Sequence, residues 1–320
     1  MLNLLNTINM QKTISYVDIH HHYNPLDGTL LNDRIRSKTL GGEFARHDIK
    51  QTLEMMEACG IKRSILSYPK SLLSLSENER ASVCTRINEG YAELIAQYPT
   101  LGAFAQIPIS LNSSLALKEI EYALDVLHLD GILLPASLFG LYPSSGLYLD
   151  IYKEMERRKG CIFFHPFVSE DKAGYSSEEY YRLAHDITRA TFELALNRFP
   201  SRYPAIRFIM SYGGGNLSYL LKTDGENSQM PSAYDERRLP LQKLAHFFEG
   251  LYYDTCLLDR TESAQDLYVS PVRKRILYGS NFPYSTIETV RLELDELAKG
   301  TCDGSEYMND ICLENSSFLL

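Results

Sequence analysis

Three consecutive histidines, His20, His21 and His22, are the residues of this sequence that point most directly to chemistry. They lie in the stretch YVDIHHHYNP, and the chain of 320 residues contains eight histidines in all. The stretch is typical of a β-strand, in which successive side chains point to opposite faces. His20 and His22 then share one face. Two imidazoles on one face can bind Zn²⁺, Fe²⁺ or Mn²⁺, and a polar histidine turn is the alternative that the spacing leaves open.

A further candidate ligand, His165, ends the apolar run CIFFHP, where Pro166 stops the strand. A single histidine at the end of a buried strand is usually a hydrogen-bonded polar residue that binds no metal. If this strand ends at the same edge of a sheet as the strand of His20 and His22, the three imidazoles can form a site with an open position for water. The sequence therefore predicts one divalent metal ion, with zinc favoured, on His20, His22 and His165.

The elements that must position these histidines alternate along the chain. Eight short apolar runs are separated by amphipathic stretches with helical spacing. This alternation indicates a parallel sheet, and eight units indicate a closed (β/α)₈ barrel. We expect a single TIM-barrel domain over residues 1–320, with an extra helical segment, SEYMNDICLENSSFLL, at its C-terminal end. The expected strands are ISYVDIH, RSILSYP, LGAFAQIPI, GILLPAS, CIFFHPF, IRFIMSYG, LYYDTC and RILYGSNFP.

Three long polar stretches follow expected strands 1, 5 and 6, at residues 24–44, 168–177 and 222–238. In a (β/α)₈ barrel the loops that follow strands lie at the C-terminal face, where active sites form. The expected helices include two short ones, at residues 240–248 and 261–269. The arrangement predicts a site at this face of the barrel.

Four motifs, DIHHHYNP, IFFHPF, FIMSYGGGNLSYL and ILYGSNFPYS, follow one another in the chain. In this order they resemble the amidohydrolase superfamily, in the branch of aminocarboxymuconate semialdehyde decarboxylase and related hydrolases and aromatic-acid decarboxylases. The resemblance extends over residues 16–320. It implies a metal-dependent enzyme in which His20, His22 and His165 are the ligands.

Two positions depart from the family pattern. The resemblance implies a histidine before the glycine triplet and an aspartate on strand 8, and this chain has Tyr212 and Asn281 there. An asparagine can offer its carbonyl oxygen to a metal but cannot act as a base. A tyrosine, with a pKa of about 10, is a poor base at neutral pH and can donate a hydrogen bond or act as an acid. We predict that Tyr212 and Asn281 are catalytic residues, and that the metal is held less firmly than by an aspartate-containing site.

Two aspartates and one arginine complete the candidate residues. Asp254, toward the end of strand 7, is predicted to be a structural hydrogen-bonded residue, with metal binding as the alternative. Asp18 precedes His20 by two positions, so we expect it on the same face, one layer deeper, beside the ligands. Arg46, after strand 1, is the candidate for holding a substrate carboxylate, a role that the resemblance implies and that suits a guanidinium. A solvated basic loop is the alternative for Arg46.

Composition limits the class of protein. The formal net charge of -9 disfavours a nucleic-acid surface and an anionic membrane as partners. Six cysteines without CxxC spacing are typical of buried thiols in a reducing compartment. We see no signal peptide, and no run approaches the ~18 apolar residues of a membrane span. We therefore expect a cytoplasmic protein.

These features predict a metal-dependent hydrolase of the amidohydrolase type, acting on a small carboxylate-bearing molecule such as an amide or a lactone. One alternative is a non-oxidative decarboxylase, or carboxy-lyase, of a small aromatic or unsaturated acid. The other is a barrel without metal that uses tyrosine-based catalysis or only binds a ligand. The expected partner is a small anionic molecule, and a homodimer is expected by analogy with similar enzymes.

Overall fold

Eight parallel strands form one sheet in sequence order. The computed structural model describes residues 16–26, 47–110, 112–138, 140–167, 177–218, 246–256, 271–299 and 314–320. Every expected strand overlaps an observed one, and the predicted (β/α)₈ barrel is confirmed. The strands are β1 (Tyr16–His22), β2 (Ile61–Ser67), β3 (Leu101–Gln106), β4 (Gly131–Pro135), β5 (Cys161–His165), β6 (Arg207–Met210), β7 (Tyr252–Asp254) and β8 (Ile276–Leu277).

Hydrogen bonds between β1 and the end of β8 close the sheet into a barrel. The amide of Ile19 donates to the carbonyl oxygen of Tyr278 over 2.9 Å. Asp18 adds a side-chain link, because its carboxylate accepts hydrogen bonds from the amide of Ser280 at 2.9 Å and from the hydroxyl of Ser280 at 2.6 Å. Since β1 also pairs with β2, the strand that carries the histidines is held on both sides.

Helices connect the strands. Asp48 and Ser76 begin the first two of them with capping boxes, in which each side chain and the residue at N3 bond the other's backbone. The expected helix at 261–269, most of the one at 240–248 and most of the three long polar loops lie outside the described residues. In the described part of the chain, no helix combines the length and the apolar character that crossing a bilayer requires. The helices are α1 (Ile49–Cys59), α2 (Glu77–Gln97), α3 (Ser113–Glu121), α4 (Leu149–Arg158), α5 (Ser177–Leu196), α6 (Phe199–Arg202) and α7 (Ile287–Lys299).

Layers of apolar side chains fill the barrel interior, as alternate strands contribute alternate layers. Phe104 of β3 and Phe163 of β5 belong to one layer, with their ring centroids 5.2 Å apart. The even strands contribute a second layer. Together these layers form an apolar floor beneath the C-terminal face. The residues of the even strands in this interior cluster are Ile65, Leu133, Ile209 and Leu277.

The first strand departs from regular alternation. Its pairing with β2 shifts register between Asp18 and His21. Val17 and Ile19 both pack in the interior cluster, and the ring of His20 also reaches the barrel interior, 5.3 Å from that of Phe163. An extra residue of this kind is a β-bulge, and it re-aims the side chains that follow. The expectation that Asp18 shares a face with His20 is therefore wrong, because its carboxylate lies 3.1 Å from Nδ1 of His21 instead.

The C-terminal residues cover the opposite, N-terminal end of the barrel. Leu319 is buried and packs in the interior cluster. The ring of Phe318 lies 4.8 Å from the guanidinium of Arg207, the first residue of β6. Of the expected extra helical segment, the structure describes a single 3₁₀ turn, Ser317–Leu319. Residues 305–313 of that segment lie outside the described part.

Candidate active site

A layer of buried polar side chains lies directly above the apolar floor, at the C-terminal ends of the odd strands. Each of its members on β3, β5 and β7 stands two positions after an interior apolar residue, so period-two alternation points it inward. Gly279, two residues after β8, makes room for this layer, because a Cβ there would lie 2.7 Å from the Cβ of His20. The members are His20 of β1, Gln106 of β3, His165 of β5 and Asp254 of β7.

His20, His22 and His165 converge in this layer and just above it. All three are fully buried, and one ring nitrogen of each lies within 4.8 Å of the others. The ring of His20 lies 5.3 Å from that of Phe163, which places it on the floor of the barrel mouth. The structure thus brings together the three residues that the sequence predicts as metal ligands.

Hydrogen bonds behind the two histidines of β1 fix which ring nitrogen carries the proton. Nδ1 of His20 lies 2.5 Å from Oδ2 of Asp254, so this nitrogen donates to the carboxylate. Ser67 Oγ donates to the carbonyl oxygen of His21 and therefore accepts from Nδ1 of His22, 2.9 Å away. The Nε2 atoms of His20 and His22 keep their lone pairs and lie 3.0 Å apart. Facing lone pairs repel unless a cation is bound beside them, so this donor set fits a metal ion.

Burial keeps two of these imidazoles neutral. Loss of solvent, together with the neighbouring imidazole of His20, holds the pKa of His22 and the pKa of His165 well below the usual value of 6.5. A neutral imidazole is the form that binds a metal. At neutral pH, His22 and His165 therefore offer lone pairs to a cation.

Tyr212 brings a phenol to the same place. Its hydroxyl lies 3.0 Å from Nε2 of His165, and its ring centroid lies 5.2 Å from that of His20. The backbone φ of Tyr212 is 53°, and the three glycines that follow also have positive φ. A positive φ is strained for a bulky residue, and strain of this kind clusters at functional sites. The tight turn after β6 thus aims the phenol at the histidines.

Asn281 also has a left-handed backbone, with φ of 57°. Its amide donates to the carbonyl oxygen of His20 over 2.9 Å. Its side chain is 3% exposed, and Oδ1 is buried with no hydrogen-bond partner among the described residues. Asn281 therefore lies beside the histidines with a side-chain acceptor that remains available.

Asp254 supports the site from behind His20. Oδ2 accepts from Nδ1 of His20, and Oδ1 accepts from the amide of Cys256 over 3.1 Å. Both oxygens are thus used in hydrogen bonds, which agrees with the expected structural role. Arg46, the predicted carboxylate-binding residue, lies outside the described residues.

Three further polar side chains of the barrel mouth are not among the residues predicted from the sequence. Each follows an interior apolar residue of a strand by two positions, so strand alternation is the sequence signal that indicates them. Their residue types alone do not indicate a site, because none is a common metal ligand or base. They are Ser67, Gln106 and Ser211, and all three are buried.

The chain is similar in sequence to a protein family and to several decarboxylases. The family model described as Amidohydrolase matches residues 17–315. The chain is 26% identical over 294 residues to decarboxylase macB of Penicillium terrestre, covering 86% of each protein. It is also 26% identical over 287 residues to 6-methylsalicylic acid decarboxylase acuB of Aspergillus aculeatus, covering 83% of this chain and 84% of that protein. These relatives favour the decarboxylase alternative over the expected hydrolase.

A solved structure shares the fold. It is a dihydroxybenzoic acid decarboxylase from Polaromonas sp. JS666 with bound manganese and the inhibitor 2-nitroresorcinol. The match has a TM-score of 0.67 at 18% identity and covers 95% of this chain and 96% of that one. The two chains therefore share the same barrel fold.

Proposed function

The chain belongs to the amidohydrolase family, and we propose that it is a metal-dependent decarboxylase of a small aromatic acid. In this reaction the bond between a ring carbon and the carboxylate breaks, carbon dioxide leaves, and a proton takes its place on the carbon. The similarity to 6-methylsalicylic acid decarboxylase supports this substrate class.

The acid–base character of the site favours decarboxylation over hydrolysis. Hydrolysis needs a base that removes a proton from water, and Tyr212 and Asn281 stand where the family pattern has a histidine and an aspartate. A phenol and an amide are poor bases at neutral pH. Decarboxylation needs an acid that delivers a proton to carbon, and the hydroxyl of Tyr212, 3.0 Å from Nε2 of His165, is such a group. This hydroxyl is the observation that carries the proposal.

His20, His22 and His165 would hold the metal. Three neutral imidazoles suit zinc, which is the ion we propose, and manganese is the alternative because the Polaromonas decarboxylase contains it. A bound divalent ion would supply positive charge that holds the substrate carboxylate in the barrel mouth.

The residues of the chain would have separate tasks. Tyr212 donates its proton to the ring carbon, which keeps the electron pair of the broken bond as carbon dioxide leaves, and water then returns a proton to the phenolate. Asn281 orients the substrate through Oδ1, which is buried and has no partner among the described residues. Asp254 binds the Nδ1 proton of His20, so the lone pair on Nε2 of His20 would be available to the metal. Arg46, which stands between β1 and α1 in the sequence, would pair with the substrate carboxylate.

The test follows the fate of isotopes. Purified protein is incubated with 6-methylsalicylic acid and, separately, with 2,6-dihydroxybenzoic acid in D₂O. We expect release of carbon dioxide and a product with one deuterium on the carbon that carried the carboxylate. A parallel reaction with amides and lactones in ¹⁸O-labelled water tests hydrolysis. Incorporation of ¹⁸O into the products of the amides or lactones, without carbon dioxide release from either acid, would contradict the decarboxylase proposal and support a hydrolase.

The hydrogen bond between Tyr212 and His165 also favours a second candidate, in which the phenol and imidazole act as an acid–base pair without a metal. This candidate predicts that carbon dioxide release continues after a chelator has removed all divalent ions. Loss of activity on chelation, with recovery when the ion is restored, would exclude it.

A further inference from the structure

Gln106 is the one member of the polar layer that neither the metal nor the proton transfer uses. We propose that its side-chain amide recognises a hydroxyl group on the ring of the substrate and thereby determines which aromatic acids bind. This inference rests on the proposed function, because it assumes an aromatic acid in the barrel mouth.

Strand alternation aims Gln106 into the mouth. Phe104, two positions earlier on β3, packs in the interior cluster, whereas Ala103 and Ala105 pack in the outer core. Gln106 is 2% exposed, at the end of the strand. Its side chain therefore extends from the β3 wall into the same layer as His20 and His165.

The backbone of Gln106 is fully anchored from outside the barrel. Asn88 of α2 accepts from the amide of Gln106 over 2.8 Å and donates to its carbonyl oxygen over 3.0 Å. Asn88 also donates to Oε1 of Glu119 over 2.7 Å, which fixes its orientation. These bonds hold the end of β3 without using the side chain of Gln106.

The side-chain oxygen, in contrast, has nothing to bind. Oε1 of Gln106 is buried without a hydrogen-bond partner among the described residues. An unsatisfied buried amide oxygen destabilises the folded state, because it has lost its hydrogen bonds to water. A methionine of similar volume would avoid this destabilisation, so the stability of the fold does not explain the glutamine. A ligand that forms the missing hydrogen bond does explain it.

The surroundings select the ligand. Phe104 and Phe163 lie beneath the layer and are fully buried, so the floor under Gln106 is apolar. Gln106 is uncharged, so it would not compete with the histidines for a carboxylate. An amide both accepts and donates hydrogen bonds, which matches a phenolic hydroxyl. The β3 wall thus suits the hydroxyl-bearing edge of a ring whose carboxylate lies toward the histidines.

The experiment compares binding of benzoate with that of its 2-, 3- and 4-hydroxy isomers. Dissociation constants are measured by calorimetry for the metal-loaded wild type, Gln106→Met and the control Gln97→Met, whose residue is exposed on α2. We expect the wild type and the control to prefer at least one hydroxy isomer over benzoate by about tenfold or more, the equivalent of one satisfied hydrogen bond. Gln106→Met should abolish this preference and leave benzoate binding within a few fold.

Thermal unfolding separates recognition from a structural role. Gln106→Met should unfold at the same or a higher temperature than the wild type, because it removes an unsatisfied polar atom. A lower unfolding temperature, or a preference for the hydroxy isomer that survives in Gln106→Met, overturns the inference. Carbon dioxide release from 6-methylsalicylic acid tests the proposed function separately. If it is absent while the preference depends on Gln106, decarboxylation fails and the binding role of Gln106 stands.

Discussion

Asp254 and His20 form the buried pair that sets the orientation of the candidate metal site. A carboxylate behind a histidine ligand typically raises metal affinity 10–100-fold, and we expect Asp254→Asn to lose about that much. The asparagine keeps an oxygen for the amide of Cys256, so the turn itself should persist. Competition with a chromogenic chelator measures the loss. Asp186→Asn is the control, since Asp186 is also buried but bonds Ser137 and Tyr142 instead. Equal affinity in Asp254→Asn and the control would contradict this account of the pair.

The phenol of Tyr212 is the proposed proton donor. General acids typically contribute 10²–10⁴-fold to a rate, so we expect Tyr212→Phe to slow carbon dioxide release by about 100-fold or more. Because no ligand is removed, the metal content should not change. Tyr181→Phe, at an exposed position of α5, is the control. A Tyr212→Phe enzyme with full activity would show that the hydroxyl does not transfer the proton.

At the scale of elements, side-chain hydrogen bonds join β1 to α1. Nε2 of His21 lies 3.0 Å from Oγ1 of Thr52, and Nε2 of His47 lies 2.8 Å from the same hydroxyl. Burial and the nearby imidazole of His21 lower the pKa of His47 to about 4. The strand that carries two candidate ligands thus packs on a helix through hydrogen bonds to Thr52, and the low pKa keeps His47 neutral at neutral pH.

The lowered pKa values of three histidines predict how the free energy of unfolding depends on pH. His47, His22 and His165 take up protons on unfolding below about pH 6.5, so the unfolded state binds more protons there than the folded state. The free energy of unfolding of the metal-free protein should therefore fall as pH falls from 6.5 toward 4, by about 1.4 kcal/mol per pH unit for each proton taken up. Urea unfolding at each pH measures this slope. His47→Gln should flatten part of it, and a flat profile in the wild type would contradict the prediction.

The strand ends could be predicted from the sequence, and the local pairing could not. His165 is followed by a proline that stops its strand, so its place at the barrel mouth follows from the order of residues alone. The bulge in β1 depends on the register with β2, which pattern analysis does not contain, and it moved Asp18 to the side of His21. Strand alternation in the sequence could place Gln106 in the barrel mouth, but that its Oε1 is buried without a hydrogen-bond partner among the described residues is visible only in the structure.

At the scale of the whole molecule, the C-terminal turn contributes a side chain to the barrel interior. Leu319 is 3% exposed, whereas the neighbouring Leu320 is 54% exposed. Replacing a buried leucine by alanine typically costs about 2–5 kcal/mol, and we expect Leu319→Ala to fall in this range. Leu320→Ala should change the free energy of unfolding by less than about 0.5 kcal/mol. Chemical denaturation compares the two, and similar values would contradict the packing described for Leu319.

Three properties of the whole chain stay predictions. A single domain over residues 1–320 and a cytoplasmic location are predicted from the sequence, and a homodimer is predicted by analogy with similar enzymes. The negative net charge of -9 concerns the surface as a whole. Among the described side chains that face the histidines, the carboxylate is that of Asp254, which is bonded to His20. A bound divalent ion would offset its negative charge and let the barrel mouth hold an anionic substrate.

The central claim is that His20, His22 and His165 hold one divalent ion that decarboxylation requires. The most direct test is a titration of metal-depleted protein with Zn²⁺, and in parallel with Mn²⁺, while carbon dioxide release from 6-methylsalicylic acid is recorded. We predict no release without metal, a linear rise up to one ion per chain, and no rise in His22→Ala. Carbon dioxide release that is independent of added metal, or that rises equally in His22→Ala, would contradict the claim.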